Sequence, residues 1–186
     1  MPASEPSAEP VRPGKYALVE RERRFLLAGP PAAGVTGQRR ITDRYLRGTR
    51  LRLRRVANPA SGALEFKLAQ KVPAGRPGHV RGLITNTYLS AAEYDVLASL
   101  PGDVLAKTRL SVPPLGVDIF DPPLHGLVIA EAEFATDEAA LSFAVPPGAV
   151  AEITDDERLT GGCLARAGRA DLAAWLAEYG VRLGPG

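Results

Sequence analysis

Charged residues that could bind an anion or a metal recur at every second position along several segments of this chain. Arginine or lysine takes one phase of three segments, at Arg52, Arg54, Lys67, Lys107 and Arg109. Glutamate takes one phase of two others, at Glu20, Glu22, Glu131 and Glu133. Guanidinium and ammonium groups suit phosphate oxygens, whereas clustered carboxylates suit a hard divalent cation. The spacing therefore indicates a site for a phosphate-rich ligand and its metal.

Alternation of this kind is typical of β-strands, in which residues two apart lie on the same face. We predict strands over 16–27, 38–47, 49–56, 64–72, 80–89, 104–112, 116–120 and 127–134. Helices are predicted over 91–100, 137–143 and 170–179, and a short apolar and acidic segment over 150–156. So many strands in one chain favour a closed antiparallel barrel, because closure removes exposed edges.

The charged phases are expected to point into the barrel. Each charged strand taken singly could simply present a solvated face, but the apolar phases must also be covered, and the helices can pack on them from outside. A barrel of about eight strands holds side chains or one small ligand in its interior. Buried like charges need counter-charges. The basic rows then imply a dense anion such as polyphosphate, and the acidic rows imply a hard cation.

Composition limits the other function classes. The 186 residues carry a net charge of only +2, so the chain is not a polycation that coats nucleic acid. A single cysteine, Cys163, excludes an internal disulfide, and His79 and His125 are the only histidines. A zinc site of cysteine and histidine is therefore disfavoured, and oxygen ligands favour Mg²⁺ or Mn²⁺.

The chain is predicted to form one domain over 16–182. Residues 1–15 are rich in Pro, Ser and Glu and lack an apolar run, which predicts a disordered tail rather than a signal peptide. No stretch reaches the ~18 apolar residues of a membrane span. We expect a cytoplasmic protein, with a homodimer as one open possibility.

The charged strands also resemble, in order, the motifs of the CYTH or triphosphate tunnel metalloenzyme superfamily. Glu20 to Arg24, followed by Phe25 and Leu26, is similar to the ExExK strand of that family. The further matching segments are 45–46, 51–54, 66–67, 107–109, 117–120, 131–134 and 153–156 with Arg158. The resemblance spans residues 16 to about 164.

This resemblance implies an α+β fold, mainly an antiparallel eight-stranded β-barrel with helices packed outside. It implies divalent-metal-dependent hydrolysis of a triphosphate, inorganic triphosphate being favoured because no adenine, thiamine or RNA pocket is readable. The implied triphosphate-binding residues are Arg52, Arg54, Lys67, Arg81, Lys107, Arg109 and Arg158. The implied metal ligands are Glu20, Glu22, Asp118, Glu131 and Glu133, and the implied catalytic residues are Glu22, Arg24 and Glu133.

Two departures from the family pattern leave alternatives open. Arg24 stands where the motif has Lys, which keeps the charge but changes the geometry. The strand after Arg81 is expected to direct Thr85 and Thr87 inward, where active relatives have carboxylates. The alternatives are a polyphosphate- or nucleotide-binding module with little catalysis and a class IV-type adenylate cyclase. A nucleic-acid binder ranks below both, because few aromatic residues are available for base stacking.

Overall fold

The computed structural model describes residues 14–183. Its strands are β1 (Leu18–Leu27), β2 (Gly37–Leu46), β3 (Leu51–Ala57), β4 (Leu64–Pro73), β5 (Val80–Leu89), β6 (Gly102–Val112), β7 (Leu115–Phe120), β8 (Val128–Glu133) and β9 (Ala149–Glu152). Its helices are α1 (Ala91–Ala98), α2 (Asp137–Ser142), α3 (Gly161–Leu164) and α4 (Arg169–Ala177). The predicted tail falls almost wholly outside the described residues. No helix within residues 14–183 is long and apolar enough to cross a membrane.

Eight of these strands close into an antiparallel barrel, as predicted. Their order is β5-β4-β3-β2-β6-β7-β8-β1, and β1 pairs again with β5. The ninth strand, β9, adds to β1 beside the barrel over Phe25 to Leu27. The sequence had indicated only a short apolar and acidic segment there. The barrel with outer helices confirms the predicted fold class.

The barrel closes where β5 passes from β4 to β1, and this seam depends on one glycine. Gly82 is opposite both Pro73 of β4 and Glu20 of β1. Its φ is +136°, and a Cβ there would overlap the Val72 carbonyl oxygen and lie 2.9 Å from the Ala74 nitrogen. Both the backbone angle and the close approach therefore require a residue without a side chain.

Inside the barrel, charged residues give way to apolar ones toward one end. Along β1 the inner position after Arg24 is Leu26, and along β6 the inner position next to Lys107 is Leu105. Leu26 and Leu105 belong to a buried cluster that includes the C-terminal residues Leu164, Leu172 and Leu176. The C-terminal helices thus close this end of the barrel with an apolar plug.

Helices α1 and α2 cover part of the outer surface of the barrel. Phe25 of β1 is fully buried beside Phe143, the residue that follows α2. Phe66 of β4 packs on Tyr94 of α1, with ring centroids 4.6 Å apart. Ser90 caps helix α1 and forms a capping box with Glu93. Where the helices cover the outer apolar residues, the alternation in sequence becomes a wall with a charged inner surface.

Replacing Gly82 by Ala tests this closure. We expect Gly82→Ala to lower the free energy of unfolding by roughly 3 kcal/mol, because the new Cβ collides with backbone that cannot move without opening the seam. Gly75→Ala is the control, since Gly75 also has a positive φ but its Cβ would meet nothing within 4 Å. Urea denaturation should show a loss of only about 1 kcal/mol for the control. Equal losses in the two variants would contradict the proposed role of the seam.

Candidate functional site

The charged rows predicted from the sequence share the inner face of the barrel. Across β1 and β8, Glu22 is opposite Glu133 and Arg24 is opposite Glu131. Across β3 and β4, Arg54 is opposite Lys67. Antiparallel partners point to the same side of a sheet, so these strands contribute to a single charged interior.

A buried carboxylate organises the basic row on β3. Asp43 of β2 is fully buried and accepts two hydrogen bonds from Arg54, from Nε at 2.6 Å and from Nη2 at 2.8 Å. Arg52 Nε lies 3.7 Å from the same carboxylate. Burial would raise the pKa of Asp43, but the two arginines lower it to about 2. Asp43 therefore stays ionised and holds both guanidinium groups against the wall.

A second buried carboxylate organises the basic row on β6. Asp118 of β7 accepts hydrogen bonds from Lys107 Nζ at 2.5 Å and from Arg109 Nε and Nη2 at 2.7 and 2.6 Å. Arg109 Nη2 also binds Glu131. Burial would raise the pKa of Glu131, but Arg109 and Lys107 hold it well below its usual range. Glu131 is thus an ionised partner of the basic row.

These contacts change one inference from the sequence. The five inward cations were expected to need an external anion as their counter-charge, yet Asp43 and Asp118 already supply much of it. Asp118 was expected to be a metal ligand, whereas here it is fully buried between Lys107 and Arg109. Arg52 is less completely satisfied than Arg54, because its buried Nε has no hydrogen-bond partner among residues 14–183 and lies 3.7 Å from the Asp43 carboxylate.

The inner glutamates of β1 and β8 form an acidic row, which lies on the opposite side of the barrel interior from β2 and β3. Glu20 receives a hydrogen bond from Lys71 Nζ at 2.6 Å. The nearest cation to Glu22 is Arg24, whose Nε lies 3.7 Å away. Glu133 makes no ion pair or side-chain hydrogen bond within the described part of the chain and is exposed at the opening. Glu22 and Glu133 are therefore the inner carboxylates with the least positive compensation.

The pKa of Glu22 reflects this shortage of counter-charge. Burial, with a smaller contribution from the neighbouring Glu131 carboxylate, raises the pKa of Glu22 from 4.5 to about 7. Lys71 and Arg24 oppose the shift without cancelling it. A group with this pKa favours a bound proton or a bound cation at neutral pH.

Arg24 is placed deep in the barrel, where its guanidinium faces backbone. Its Nη1 donates to the Leu159 carbonyl at 2.9 Å, and its Nη2 donates to the carbonyls of Ile153 and Thr154 at 3.2 and 3.0 Å. The Nε of Arg24 is buried and has no hydrogen-bond partner within residues 14–183, and it lies 3.7 Å from the Glu22 carboxylate. Arg24 thus fastens the segment after β9 to the barrel and lies behind Glu22.

The remaining predicted phosphate ligands lie toward the openings. Lys67 contacts the Tyr88 ring, with Nζ 4.9 Å from its centroid, and pairs with Glu65 at 2.9 Å. Arg81 Nη1 lies 3.4 Å from Asp155. Arg158 binds the carboxylates of Asp156 and Glu178, at 2.8 and 2.7 Å. Arg158 is therefore joined to the C-terminal helix and does not belong to the group around Asp43 and Asp118.

The expected inward positions of β5 were wrong by one residue. Thr85 and Thr87 are opposite Gln70 and Leu68, on the other face from Lys67. The strand pairing sets Ile84, Asn86 and Tyr88 on the inner face, since Tyr88 is opposite Lys67. A one-residue change of phase inverts every side chain of a strand. The inner face of β5 still carries no carboxylate.

Asp43, Tyr45 and Lys71 are among the inner residues that escaped the sequence reasoning. Lys71 shares the phase of Lys67 and could have been found by continuing that strand for four residues. Asp43 and Tyr45 share a phase of β2 with Ile41, so their strand shows no row of like charge. Single carboxylates between apolar residues carry no signal until the strand pairing is known.

Comparison with known proteins bears on the fold. No protein-family model matches the chain, and none of the curated proteins is significantly similar to it. A solved structure of the hypothetical protein NE1496 is 24% identical with a TM-score of 0.53, covering 80% of this chain and 99% of that chain. A structure of the inorganic triphosphatase NE1496 is 22% identical with a TM-score of 0.53, covering 81% and 96%. This chain shares the closed β-barrel fold of those structures. We call the charged interior described above the tunnel.

The tunnel carboxylates fit a divalent cation in part. Within residues 14–183, no three acidic, histidine or cysteine side chains converge as a ready-made metal site. Mg²⁺ is commonly held by one or two carboxylates together with substrate phosphates. Glu22 and Glu133 meet that requirement, because they are adjacent and poorly compensated. Glu20, Glu131 and Asp118 each pair with a cation instead.

The raised pKa of Glu22 predicts how stability depends on pH without divalent metal. Because the folded chain holds this proton more tightly than the unfolded chain, the contribution of Glu22 is complete below pH 4.5 and is lost as the pH rises through about 7. Glu22→Gln should therefore be more stable than the wild type at pH 8, by on the order of 2–3 kcal/mol, with little difference at pH 4.5.

Urea denaturation in EDTA at both pH values measures this difference. Glu138→Gln, on the exposed surface of α2, is the matched control and should follow the wild type at each pH. A Glu22→Gln variant with the same pH dependence as the wild type would refute the assignment.

Proposed function

We propose that this protein is a divalent-metal-dependent triphosphatase that hydrolyses inorganic triphosphate inside the tunnel. The observation that carries the proposal is Arg52 on the inner face of β3, whose buried Nε lies 3.7 Å from the Asp43 carboxylate and has no hydrogen-bond partner within residues 14–183. It lies in a row with Arg54, and only β2 separates this row from Lys107 and Arg109 on β6. The tunnel fold shared with the inorganic triphosphatase NE1496 supports the same reaction class.

The basic rows would bind the phosphate oxygens. Asp43 engages Nε and Nη2 of Arg54, and Asp118 engages the same two atoms of Arg109. The Nη1 group of each arginine is left to donate to a ligand. The buried carboxylates therefore act as fixed braces that orient the arginine forks before substrate arrives, which lowers the cost of ordering them on binding.

Glu22 and Glu133 would hold Mg²⁺ or Mn²⁺ on the opposite wall, next to Glu20. When bound, the metal would neutralise phosphate charge and lower the pKa of a coordinated water. Arg24 supports this wall, because its Nε lies behind Glu22 while its other nitrogens are fixed to backbone carbonyls. Phosphoryl transfer depends mainly on positioning and charge stabilisation, and the two walls supply both.

A binding module with little catalysis is the second candidate. The observation that favours it is the inner face of β5, where Ile84, Asn86 and Tyr88 offer no carboxylate to hold a second metal or orient water. Assays of triphosphate, pyrophosphate, thiamine triphosphate and ATP with Mg²⁺ and Mn²⁺ separate the candidates. Orthophosphate release from triphosphate supports hydrolysis, tight binding without release supports the module, and cyclic nucleotide from ATP supports a cyclase.

Arg52→Gln tests the basic wall. We expect it to weaken triphosphate binding roughly 10- to 100-fold, because a hydrogen bond between charged groups is lost inside the tunnel. Arg55→Gln is the control, since Arg55 lies on the same strand but faces outward, opposite Phe66. Calorimetric titration of both variants provides the comparison. Equal affinities for the two variants would exclude Arg52 as a phosphate ligand.

Glu133→Gln tests the acidic wall. We expect Mn²⁺ to raise the melting temperature of the wild type and to have little effect on this variant, because one of two carboxylate ligands is missing. Metal-dependent phosphate release should fall to background in parallel. Glu138→Gln should keep both responses. A Glu133→Gln protein still stabilised by Mn²⁺ as strongly as the wild type would place the metal elsewhere.

A further inference from the structure

The two inner arginines of β3 are held in different ways. Asp43 accepts hydrogen bonds from both Nε and Nη2 of Arg54, and this paired contact fixes the plane of that guanidinium. Arg52 Nε lies 3.7 Å from the same carboxylate and has no hydrogen-bond partner within residues 14–183. A charge contact of this kind attracts a guanidinium without fixing its orientation. Arg52 therefore needs another neighbour to set the direction of its donors.

Tyr45 on β2 is placed to be that neighbour. The pairing of β2 with β3 sets Tyr45 directly opposite Arg52, so the two side chains share the inner face of the barrel. Burial and the Asp43 carboxylate raise the pKa of the Tyr45 hydroxyl, whereas the charge and hydrogen bonding of Arg52 oppose that rise. A phenol hydroxyl can accept a hydrogen bond from a guanidinium while its ring stays in an apolar environment.

The ring of Tyr45 is itself fixed by the apolar plug. It packs against the buried cluster that contains Leu105 and the C-terminal leucines. A Cβ on Gly162 would lie 3.7 Å from the ring, and a Cβ on Gly161 would overlap the hydroxyl and lie 3.1 Å from Cζ. The φ of Gly161 is not positive, so the contact with Tyr45, and not the backbone angle, requires a glycine there. The start of α3 thus limits the hydroxyl on one side.

We propose that Tyr45 is a positioning residue that directs the Arg52 guanidinium toward the triphosphate, and that α3 fixes Tyr45 for this purpose through its contact at Gly161. This inference rests on the proposed function, in which Arg52 binds a phosphate oxygen. It adds an uncharged residue, outside the charged rows, to those that determine triphosphate affinity. It also gives the apolar plug a second role, because the packing of α3 against Tyr45 sets the position of a phosphate ligand.

A double-mutant cycle between Tyr45 and Arg52 tests the inference. Triphosphate is titrated calorimetrically into the full chain in EDTA, which prevents metal-dependent turnover. We expect Tyr45→Phe, which removes only the hydroxyl, to weaken binding roughly fivefold in the wild type and to cause no further loss in the Arg52→Gln variant. Tyr94→Phe is the matched control, because Tyr94 packs on Phe66 outside the barrel, and it should bind as the wild type does.

Gly161→Ala tests the contribution of α3. The new Cβ would collide with the Tyr45 hydroxyl, so this variant should lose triphosphate affinity and several degrees of melting temperature. Adding Tyr45→Phe removes the colliding oxygen. The double variant should therefore regain most of the melting temperature, yet bind triphosphate no better than Tyr45→Phe alone. A purely structural role for the hydroxyl would restore both measurements together.

The outcomes separate this inference from the proposed function. Wild-type affinity in Tyr45→Phe, or an equal loss in Tyr94→Phe, overturns the role of Tyr45 while leaving triphosphate binding intact. The same loss from Tyr45→Phe with and without Arg52 overturns its action through that arginine. Wild-type affinity in the double variant with Gly161→Ala shows that the hydroxyl is not needed and also overturns it. Failure of the wild type to bind triphosphate overturns the proposed function and this inference together.

Discussion

Charge compensation inside a closed barrel is the constraint on which the rest of this structure depends. A guanidinium removed from water costs several kcal/mol unless a nearby carboxylate compensates it. Asp43 meets that cost for Arg52 and Arg54, and Asp118 meets it for Lys107 and Arg109. These carboxylates let the barrel fold around its basic rows before any ligand is present. They also fix the direction in which each arginine fork points.

The two sides of the plugged barrel end differ because the inner positions are apolar on some strands and basic on others. Where inner positions become apolar, as at Leu26 and Leu105, the C-terminal helices can pack on them and close the end. Where the inner positions remain basic, at Arg52 and Lys71, the same helices leave a gap. The plug and the cavity of about 810 Å³ beside it are thus two consequences of one pattern. Arg50 and Arg166, which line that cavity, make no ion pair within residues 14–183.

The proposed function follows from the charged groups that lack a full set of oppositely charged or hydrogen-bonding partners inside the barrel. On the basic wall these are Nε of Arg52 and the Nη1 groups of Arg54 and Arg109. On the acidic wall they are Glu22, whose pKa is raised by burial to about 7, and Glu133 beside it. An anion bound at the first wall and a cation bound at the second would neutralise each other. A metal-bound phosphate chain has that charge distribution.

Much of this arrangement was readable in the sequence, because a strand repeats every two residues and a row of like charges therefore marks one face. The barrel and its inward charged rows followed from that period. Other features depended on contacts between distant strands. Asp43 stands among apolar residues, and only its pairing with Arg54 gives it a role. The phase of β5 was set by its register with β4, which placed Tyr88, and not Thr87, beside Lys67. Arg24 and Arg158 carry the charge of phosphate ligands, but the folded C-terminal segment occupies their donors. Local periodicity determines which residues share a face, whereas partners are decided by pairing across the closed sheet.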